Sequence, residues 1–359
     1  MTGQGSAGQD LIEQGLIGQG LIEQDLIEQD LIGRLPKVEL HVHLVGSASV
    51  PTVLELARRH PDSRVPQTEA ELRAFYEFRD FPHFSEVYGL VSDLVREPDD
   101  IAALVLGVAR DLSAQHVRYA ELTVTPYTHT RRGMPQRAVT EALDLAARAA
   151  QQQHGVRIAY IFDIAGEHGP DAALGTLAHA LDQPPRALVG FGLAGIEQAR
   201  AAYHGVLRDV FRTAVAAGLH SVPHAGEMSG PETIWEALDG LGAERIGHGI
   251  SCLADPRLVA VLRERQIPLE VCPTSNVCTG QVTTLAQHPL PRLVAEGLFV
   301  TLSSDDPPMF GTSLNEEYRK VTEAFGLDPV SLAMNGVRAS FLSTTEKKHL
   351  IDEISQSRP

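Results

Sequence analysis

Cysteine is scarce in this chain, with three residues in 359. Cys252, Cys272 and Cys278 are too few for a disulfide framework, which excludes the class of small secreted proteins held together by such bonds. Three thiols suit the reducing cytosol, and we expect each to be a small apolar residue of the interior. We therefore predict a cytoplasmic protein.

Long apolar runs and an excess of basic residues are also missing. We find no stretch of about 18 or more apolar residues that could span a bilayer, and we expect no secretory signal, since no basic segment precedes an apolar core. The chain has 30 Lys and Arg against 46 Asp and Glu, a formal charge of −16. Such a surface repels phosphate backbones and anionic lipids, so nucleic-acid and membrane-surface binding are not expected.

The first 33 residues differ from the rest of the chain. Pairs of Leu and Ile recur every five residues, at Leu11, Leu16, Leu21, Leu26 and Leu31. This period rotates the pairs by about 140° per repeat on a helix, so they form no single apolar stripe. We expect 1–33 to be a low-complexity, disordered tail, 34–345 to be the folded domain, and 346–359 to be a C-terminal tail.

Short β-rich segments alternate with helical patterns after this tail. The predicted strands are 37–43, 118–124, 157–163, 187–192, 218–224, 244–248, 267–272 and 298–303, and the clearest helical patterns are 138–150, 203–217 and 256–265. Eight strand–helix alternations predict an α/β fold, a (β/α)8 TIM barrel. Extra helices are expected after strand 1, because 48–117 is too long for one crossover. A doubly wound open sheet is the alternative, but no glycine-rich phosphate turn follows the first strand.

Potential metal ligands lie at the carboxyl ends of three predicted strands. His41 and His43 end strand 1 on one face, because side chains alternate along a strand. His224 ends strand 5, and Asp305 follows strand 8. Active sites of such barrels are built where these strand ends meet. Three imidazoles and a carboxylate suit Zn²⁺ or a similar divalent ion, which lowers the pKa of bound water to about 7.

Three further polar residues follow the same strand ends. Glu227 and His248 are available for proton transfer, and Asp306 is available to bind a polar edge of a substrate. The residues alone therefore predict metal-assisted hydrolysis of a small molecule.

Five motifs in this order resemble the adenosine deaminase family of the amidohydrolase superfamily, a group of metal-dependent barrels. They are HVHLVGS at 41–47, HAGE at 224–227, GHG at 247–249, CPTSN at 272–276 and SSDDP at 303–307. The match extends from about Leu35 to Phe341. The resemblance implies a hydrolytic deaminase of a 6-aminopurine, with one Zn²⁺ per chain. It assigns the zinc ligands to His41, His43, His224 and Asp305.

The family's other roles carry over to neighbouring residues. His248 would hold the attacking water and help take its proton, beside the ligand Asp305. Glu227 would protonate purine N1 as hydroxide adds to C6, which requires a pKa raised by burial. Asp306 would accept a hydrogen bond at the N7 side. Gly195 would offer its backbone N–H to the base, where glycine allows a close approach.

Two departures from the family pattern concern the sugar side. Val45 stands where the pattern has Asp or Glu, which binds the ribose 5′-hydroxyl, and Gly192 stands where many members have Asp. Valine cannot accept that bond, so a buried 5′-hydroxyl would lose a partner at a cost of about 1–3 kcal/mol. Val45 therefore favours a 5′-modified nucleoside.

Within the family, this departure resembles the branch that deaminates aminodeoxyfutalosine, an intermediate of an alternative menaquinone pathway. Its 5′ carbon bears a carboxyphenyl ketone tail. The aromatic-rich segment 75–88 could form the pocket for the ring, or simply the core of a helical cap. Arg79, Arg131 or Arg132 could pair with the carboxylate.

Other functions stay open at this point. Plain adenosine deaminase is the first alternative, and adenine deaminase is the second, since Val45 also suits a site without a sugar. An inactive homologue kept as a binding protein, or a metal-dependent hydrolase of amides or phosphate esters, is disfavoured by the complete deaminase-type motif set. The expected partner is a purine nucleoside, and the oligomeric state is not predicted.

Overall fold

The computed structural model of the protein describes residues 31–357, centred on a sheet of eight parallel strands in chain order. The strands are β1 Lys37–His43, β2 Val117–Val124, β3 Arg157–Ala165, β4 Leu188–Ala194, β5 His220–Ala225, β6 Ile246–His248, β7 Leu269–Val271 and β8 Val300–Leu302. Each predicted strand is present, with its ends displaced by at most about two residues, which is usual for such boundaries. The predicted (β/α)8 fold class is confirmed.

The sheet closes into a barrel between β8 and β1 through Asp305. Its N–H donates to the His41 carbonyl at 2.9 Å, and the His43 N–H donates to the Asp305 carbonyl at 3.1 Å. Asp305 has φ of 64°, in the left-handed region that non-glycine residues seldom adopt. The closure therefore places a carboxylate from the end of β8 beside both histidines of β1.

Helices cover the outside of the barrel. Every residue of β3 after Arg157 is buried, as expected of a parallel strand that is covered on both faces. The three predicted helical patterns are observed as Gln136–His154, His204–Ala216 and Pro256–Arg265. The other α-helices are Pro126–Thr130, Gly169–Asp182, Pro231–Asp239, Pro273–Cys278, Leu290–Ala295, Leu314–Phe325, Pro329–Ala339 and Thr344–Gln356.

The long segment after β1 holds extra helices, as predicted. They are Val50–Arg59, Glu69–Phe75, Phe81–Ser92 and Pro98–Ser113. Phe81–Ser92 begins where the Asp80 side chain accepts a hydrogen bond from the His83 N–H at 2.9 Å, a standard N-cap. Phe84, Val87 and Val91 lie on its buried face at helical spacing. This packing fixes the aromatic residues of the helix beside the barrel mouth.

The chain ends of the described region pack on the barrel. Ile32 is buried, and Lys37 Nζ donates to the carbonyls of Ile32 and Leu35 at 2.7 and 2.6 Å. Residues 31–33 of the predicted N-terminal tail therefore contact the fold, while 1–30 lie outside the described residues. The predicted division between 345 and 346 falls inside the helix Thr344–Gln356, whose Ile354 is buried.

The state of the three cysteines and the length of the helices are relevant to the predicted cytoplasmic location. The cysteines are free thiols, buried at Cys252 and Cys272 and partly buried at Cys278. Within residues 31–357, no helix combines the length and the apolar character that crossing a membrane requires.

Candidate active site

Three histidines and one carboxylate meet at the carboxyl ends of β1, β5 and β8. His43 Nε2 lies 3.2 Å from His224 Nε2 and 3.3 Å from Asp305 Oδ1. His41 Nε2 lies 3.6 Å from the same Asp305 oxygen. The structure thus brings together the four residues predicted as metal ligands.

The spacing of these atoms fits one small metal ion. Tetrahedral ligands at about 2.1 Å from zinc lie about 3.4 Å from one another. His41 Nε2 is buried and has no hydrogen-bond partner among the described residues, so its lone pair is available to a cation. The residues present therefore fit a divalent metal, and their nitrogen-rich chemistry suits zinc.

A buried chain of charges orients His41. Its Nδ1 lies 2.9 Å from Glu270 Oε2, and Glu270 Oε1 accepts a hydrogen bond from Arg245 Nε at 2.6 Å. Arg245 also donates to Glu121. When Nδ1 donates to Glu270, the Nε2 lone pair of His41 points at the metal position. Glu270 was not predicted from the sequence, although a carboxylate inside the apolar strand β7 could have indicated a buried polar contact.

Glu227 follows β5 and faces the ligand cluster. Its Oε2 lies 3.6 Å from His248 Nε2, and its backbone N–H donates to Glu197 Oε1 at 2.9 Å. Burial raises the pKa of Glu227 to about 8, and the charges of Asp305 and Glu197 act in the same direction. The carboxyl group is therefore protonated at neutral pH, as the donor of a proton must be.

His248 ends β6 with φ of 62°, also in the left-handed region. Residues held in this conformation gather at functional sites, because the surrounding structure must stabilise them. His248 Nε2 lies 3.8 Å from Asp305 Oδ2. Burial, followed by the charge of His41, lowers the pKa of His248 to about 3. The imidazole is therefore neutral in this structure.

Asp306 lines the cavity beside the ligand Asp305. A Cβ atom at Gly46 would lie 1.6 Å from Asp306 Oδ1, so only glycine leaves room for this carboxyl group. Asp306 Oδ1 is buried and has no hydrogen-bond partner within residues 31–357. Burial, and then the charge of Asp305, raise the pKa of Asp306 well above its ordinary value. The Asp306 carboxyl group is therefore available to a bound molecule.

Gly195 follows β4 at the same end of the barrel. Its φ is 78°, and an added Cβ would lie 1.9 Å from Glu167 Oε2, so the position requires glycine. The buried Arg200 donates to the carbonyl of Gly195 at 2.8 Å and to that of His224 at 2.7 Å. This arginine therefore links the Gly195 turn to His224 at the end of β5.

A cavity of about 400 Å³ opens from the cluster, within the size range of small-molecule sites. The predicted site residues that line it are His43, Gly195, His224, Glu227, His248, Asp305 and Asp306. Val45 is not part of this lining. It is buried and lines a separate small cavity, and Tyr88 and Thr125 line both. Ser92 and Thr128 also line both, so four shared residues separate Val45 from the main cavity.

The aromatic segment 75–88 contributes both to this cavity and to a core. Phe81, Phe84 and Tyr88 line the cavity. Phe84 also packs against Phe78 and Phe310, with ring centroids 5.3 and 5.0 Å away. Some residues of this segment therefore line the cavity, and others form a core; a pocket for the ring stays a prediction.

The structure separates the three arginines considered for substrate binding. Arg131 and Arg132 line the cavity, whereas Arg79 does not. Arg132 pairs with Asp93 and donates to the Ser92 carbonyl at 2.9 Å. Arg131 has no ion-pair partner among the described residues, so its charge is available to a ligand.

A carboxyl group at the end of β3 was missed in the sequence. Asp163 lines the cavity, and its Oδ1 accepts a hydrogen bond from Thr125 Oγ1 at 2.6 Å. Burial raises the pKa of Asp163 to about 6. It pairs in register with Gly192, so an acidic group lies beside the position where the family pattern has Asp. Asp163 is the only acid in the largely apolar strand β3, and a reading of the sequence could have noticed it.

A parallel barrel with such a cluster at its strand ends falls in the class of amidohydrolases. A solved adenine deaminase from Arthrobacter aurescens is similar, with TM-score 0.85 and 32% identity over 90% of this chain and 98% of that one. A solved amidohydrolase from Burkholderia ambifaria, with bound Zn, has TM-score 0.83 and 26% identity over 92% and 93%.

The sequence comparisons narrow this class. The model of the adenosine deaminase family matches residues 36–357. An aminodeoxyfutalosine deaminase from Streptomyces coelicolor is 51% identical over 90% of this chain and 84% of that protein. The chain belongs to the adenosine deaminase family and is a hydrolytic deaminase of the amidohydrolase type.

Proposed function

We propose that the protein removes the 6-amino group of an adenine nucleoside with an extended 5′ substituent, and that aminodeoxyfutalosine is its substrate. The observation that carries this proposal is the main cavity. It joins the metal-ligand cluster and the protonated Glu227 to aromatic and cationic side chains. The name of the relative from Streptomyces coelicolor supports the same substrate.

Each group near the cluster has a distinct task in this reaction. Zinc, when bound, makes water a nucleophile at neutral pH. Glu227 donates its proton to purine N1 as the water oxygen forms a bond to C6, so negative charge does not build up on the ring. The 6-amino group then takes up the proton that the added oxygen releases, the C6–N bond breaks, and ammonia leaves a 6-oxopurine.

Asp306 acts on the other edge of the purine. N7 of adenine is a hydrogen-bond acceptor, so a partner at N7 must donate. The raised pKa of Asp306 supports a protonated carboxyl that donates to N7. This reverses the direction expected from the sequence, where Asp306 was the acceptor.

Arg131 is our candidate for the substrate carboxylate. It lines the cavity with its charge unpaired among the described residues, whereas Arg132 is already paired with Asp93. Phe81 and Tyr88 line the same cavity and offer ring faces to the phenyl group. A guanidinium binds a carboxylate through two parallel hydrogen bonds, which favours this acid over an uncharged 5′ group.

A substrate panel tests the proposal. We expect kcat/KM for aminodeoxyfutalosine to exceed that for 5′-methylthioadenosine and for adenosine by about tenfold or more, equal to about 1.4 kcal/mol of transition-state binding. Arg131→Met should remove most of this preference, whereas the matched control Arg79→Met should leave it unchanged. Adenosine exceeding the other two by tenfold would refute the proposal.

Adenine deaminase is the second candidate, because the solved adenine deaminase is 32% identical and shares the fold. Efficient turnover of free adenine, with poor turnover of all nucleosides, would favour it. A protein with a full metal complement that acts on no 6-aminopurine would instead indicate an inactive binding homologue.

We also propose that the resident metal is Zn²⁺, one per chain, and that the protein acts in the cytosol. The three imidazoles and one carboxylate support zinc. The free thiols support a reducing compartment. Metal analysis of the purified protein should give about one zinc per chain, as expected for a single four-ligand site.

A further inference from the structure

A buried backbone donor lies at one end of a hydrogen-bond chain behind the active site. The Leu290 N–H donates to His288 Nδ1 at 3.0 Å. Pro289 and Pro291 have no N–H, so Leu290 provides the backbone donor of this turn. A backbone N–H can only donate, and therefore Nδ1 of His288 must accept.

This donor determines which nitrogen of His288 carries the proton. His288 is buried, and burial lowers its pKa to about 4, so the ring is neutral and has one N–H. Because Nδ1 accepts, the proton is on Nε2. His288 Nε2 lies 3.1 Å from Asn276 Oδ1, which accepts this proton in a hydrogen bond.

The donor-to-acceptor direction of these hydrogen bonds also fixes the orientation of Asn276 at the active site. With its amide oxygen facing His288, Asn276 turns its NH₂ group towards His248, and Nδ2 lies 3.1 Å from His248 Nδ1. An amide NH₂ only donates, so Nδ1 of His248 accepts. A flipped amide would put its NH₂ against the Nε2–H of His288, so the backbone anchor selects one orientation.

We propose that Asn276 and His288 are positioning residues that hold His248 as the neutral tautomer with its proton on Nε2, directed into the active site. Nε2 is the atom that lies 3.6 Å from Glu227 Oε2 and 3.8 Å from Asp305 Oδ2. His248 then holds the attacking oxygen by donating a hydrogen bond to it. This part rests on the proposed function.

The proposal changes the role expected for His248. An imidazole that already carries its proton on Nε2 cannot take the first proton of the attacking water there. A cationic His248 would place an Nδ1–H against the NH₂ group of Asn276, two donors facing each other. The proton of the water therefore passes to a carboxylate oxygen, either that of Asp305 or that of Glu227 once Glu227 has given its own proton to N1, and His248 acts as donor and not as base.

Nitrogen NMR tests the tautomer directly. Long-range ¹H–¹⁵N spectra of the zinc-loaded protein, with ¹⁵N-labelled histidine, show which ring nitrogen is protonated, and His248→Gln identifies the signals of this residue. We expect Nδ1 to be unprotonated and Nε2 to be protonated from about pH 6 to about pH 9. A proton on Nδ1 in this range overturns the proposal. The spectrum is informative even if no purine is deaminated, so failure of the proposed function is a separate outcome.

Two substitutions at Asn276 test the consequence for catalysis. Asn276→Asp keeps the shape but presents only acceptors, so it should move the proton of His248 to Nδ1. Asn276→Leu removes the NH₂ donor and puts no acceptor in its place. We expect Asn276→Asp to lower kcat by about a hundredfold and Asn276→Leu by about tenfold, with KM and zinc content unchanged.

A purely structural role for Asn276 would reduce zinc content and raise KM in both variants alike. Asn276→Asp that retains wild-type kcat, with the proton still on Nε2 in its spectrum, refutes the proposal. If this variant does not fold, the spectrum of the wild-type protein still decides the question.

Discussion

Burial of Glu227 should cost stability in a way that depends on pH. Its pKa rises from 4.5 to about 8 in the folded chain. Below pH 4.5 the Glu227 carboxyl group is protonated in both the folded and the unfolded state, whereas between pH 4.5 and about 8 it is protonated only in the folded state. Stability is therefore lost as pH rises through this window, in total by about 5 kcal/mol at about 1.4 kcal/mol per pH unit.

Glu227→Gln isolates this effect, because glutamine has a similar shape and does not titrate. We expect the free energy of unfolding of the variant, relative to wild type, to rise by about 2.7 kcal/mol between about pH 5.5 and about pH 7.5. Urea unfolding of chelator-treated protein at both values measures the difference. Titrating groups that do not interact with Glu227 cancel, since both proteins share them. The variant should also lose deaminase activity, as it has no proton for N1.

A surface carboxylate provides the control for this experiment. Glu323 is exposed on the helix Leu314–Phe325, so Glu323→Gln should show no such change with pH. If the difference between Glu227→Gln and wild type is the same at both pH values, Glu227 is ionised in the folded chain. The assignment of Glu227 as the proton donor would then be refuted.

Three other substitutions test the surroundings of the site. Glu270→Gln should weaken zinc binding by about ten- to a hundredfold, measured by chelator competition, because the Nδ1 proton of His41 loses its negatively charged acceptor. Val45→Asp should lower the free energy of unfolding by about 1–3 kcal/mol, because it buries an acid beside Tyr88. It should also shift the preference in kcat/KM from aminodeoxyfutalosine towards adenosine. An unchanged ratio of the two kcat/KM values would show that Val45 does not influence the 5′ group. Gly195→Ala should destabilise the protein by about 1 kcal/mol or more in urea unfolding, since it is strained at positive φ and meets Glu167.

The barrel and the cluster of three histidines and one carboxylate at its strand ends were predictable because both depend on local sequence patterns. Alternating β-rich and helical segments place eight strands in parallel, and parallel strands end at one face of a barrel. His41, His43, His224 and Asp305 each follow or end such a strand. Their meeting therefore follows from the fold class, without knowledge of any side-chain contact.

The residues that orient these ligands were not predictable. Glu270 reaches His41, and Asn276 reaches His288 and His248, across strands and loops that are distant along the chain. Glu270 is the single polar residue of the apolar strand β7, and Asn276 lies in the short helix Pro273–Cys278. Its partner depends on the register of neighbouring strands, which a single sequence does not encode as a local pattern.

The sequence alone therefore determined the fold class, the deaminase motifs and which residues are candidate metal ligands, because strand periodicity and short motifs are local properties of the chain. Only the tertiary structure decided that Arg131 and not Arg79 lines the cavity, that Val45 lies beside it and outside its lining, and that Glu227 is protonated. These outcomes depend on burial and on charges brought together from distant segments, and both arise when the barrel closes.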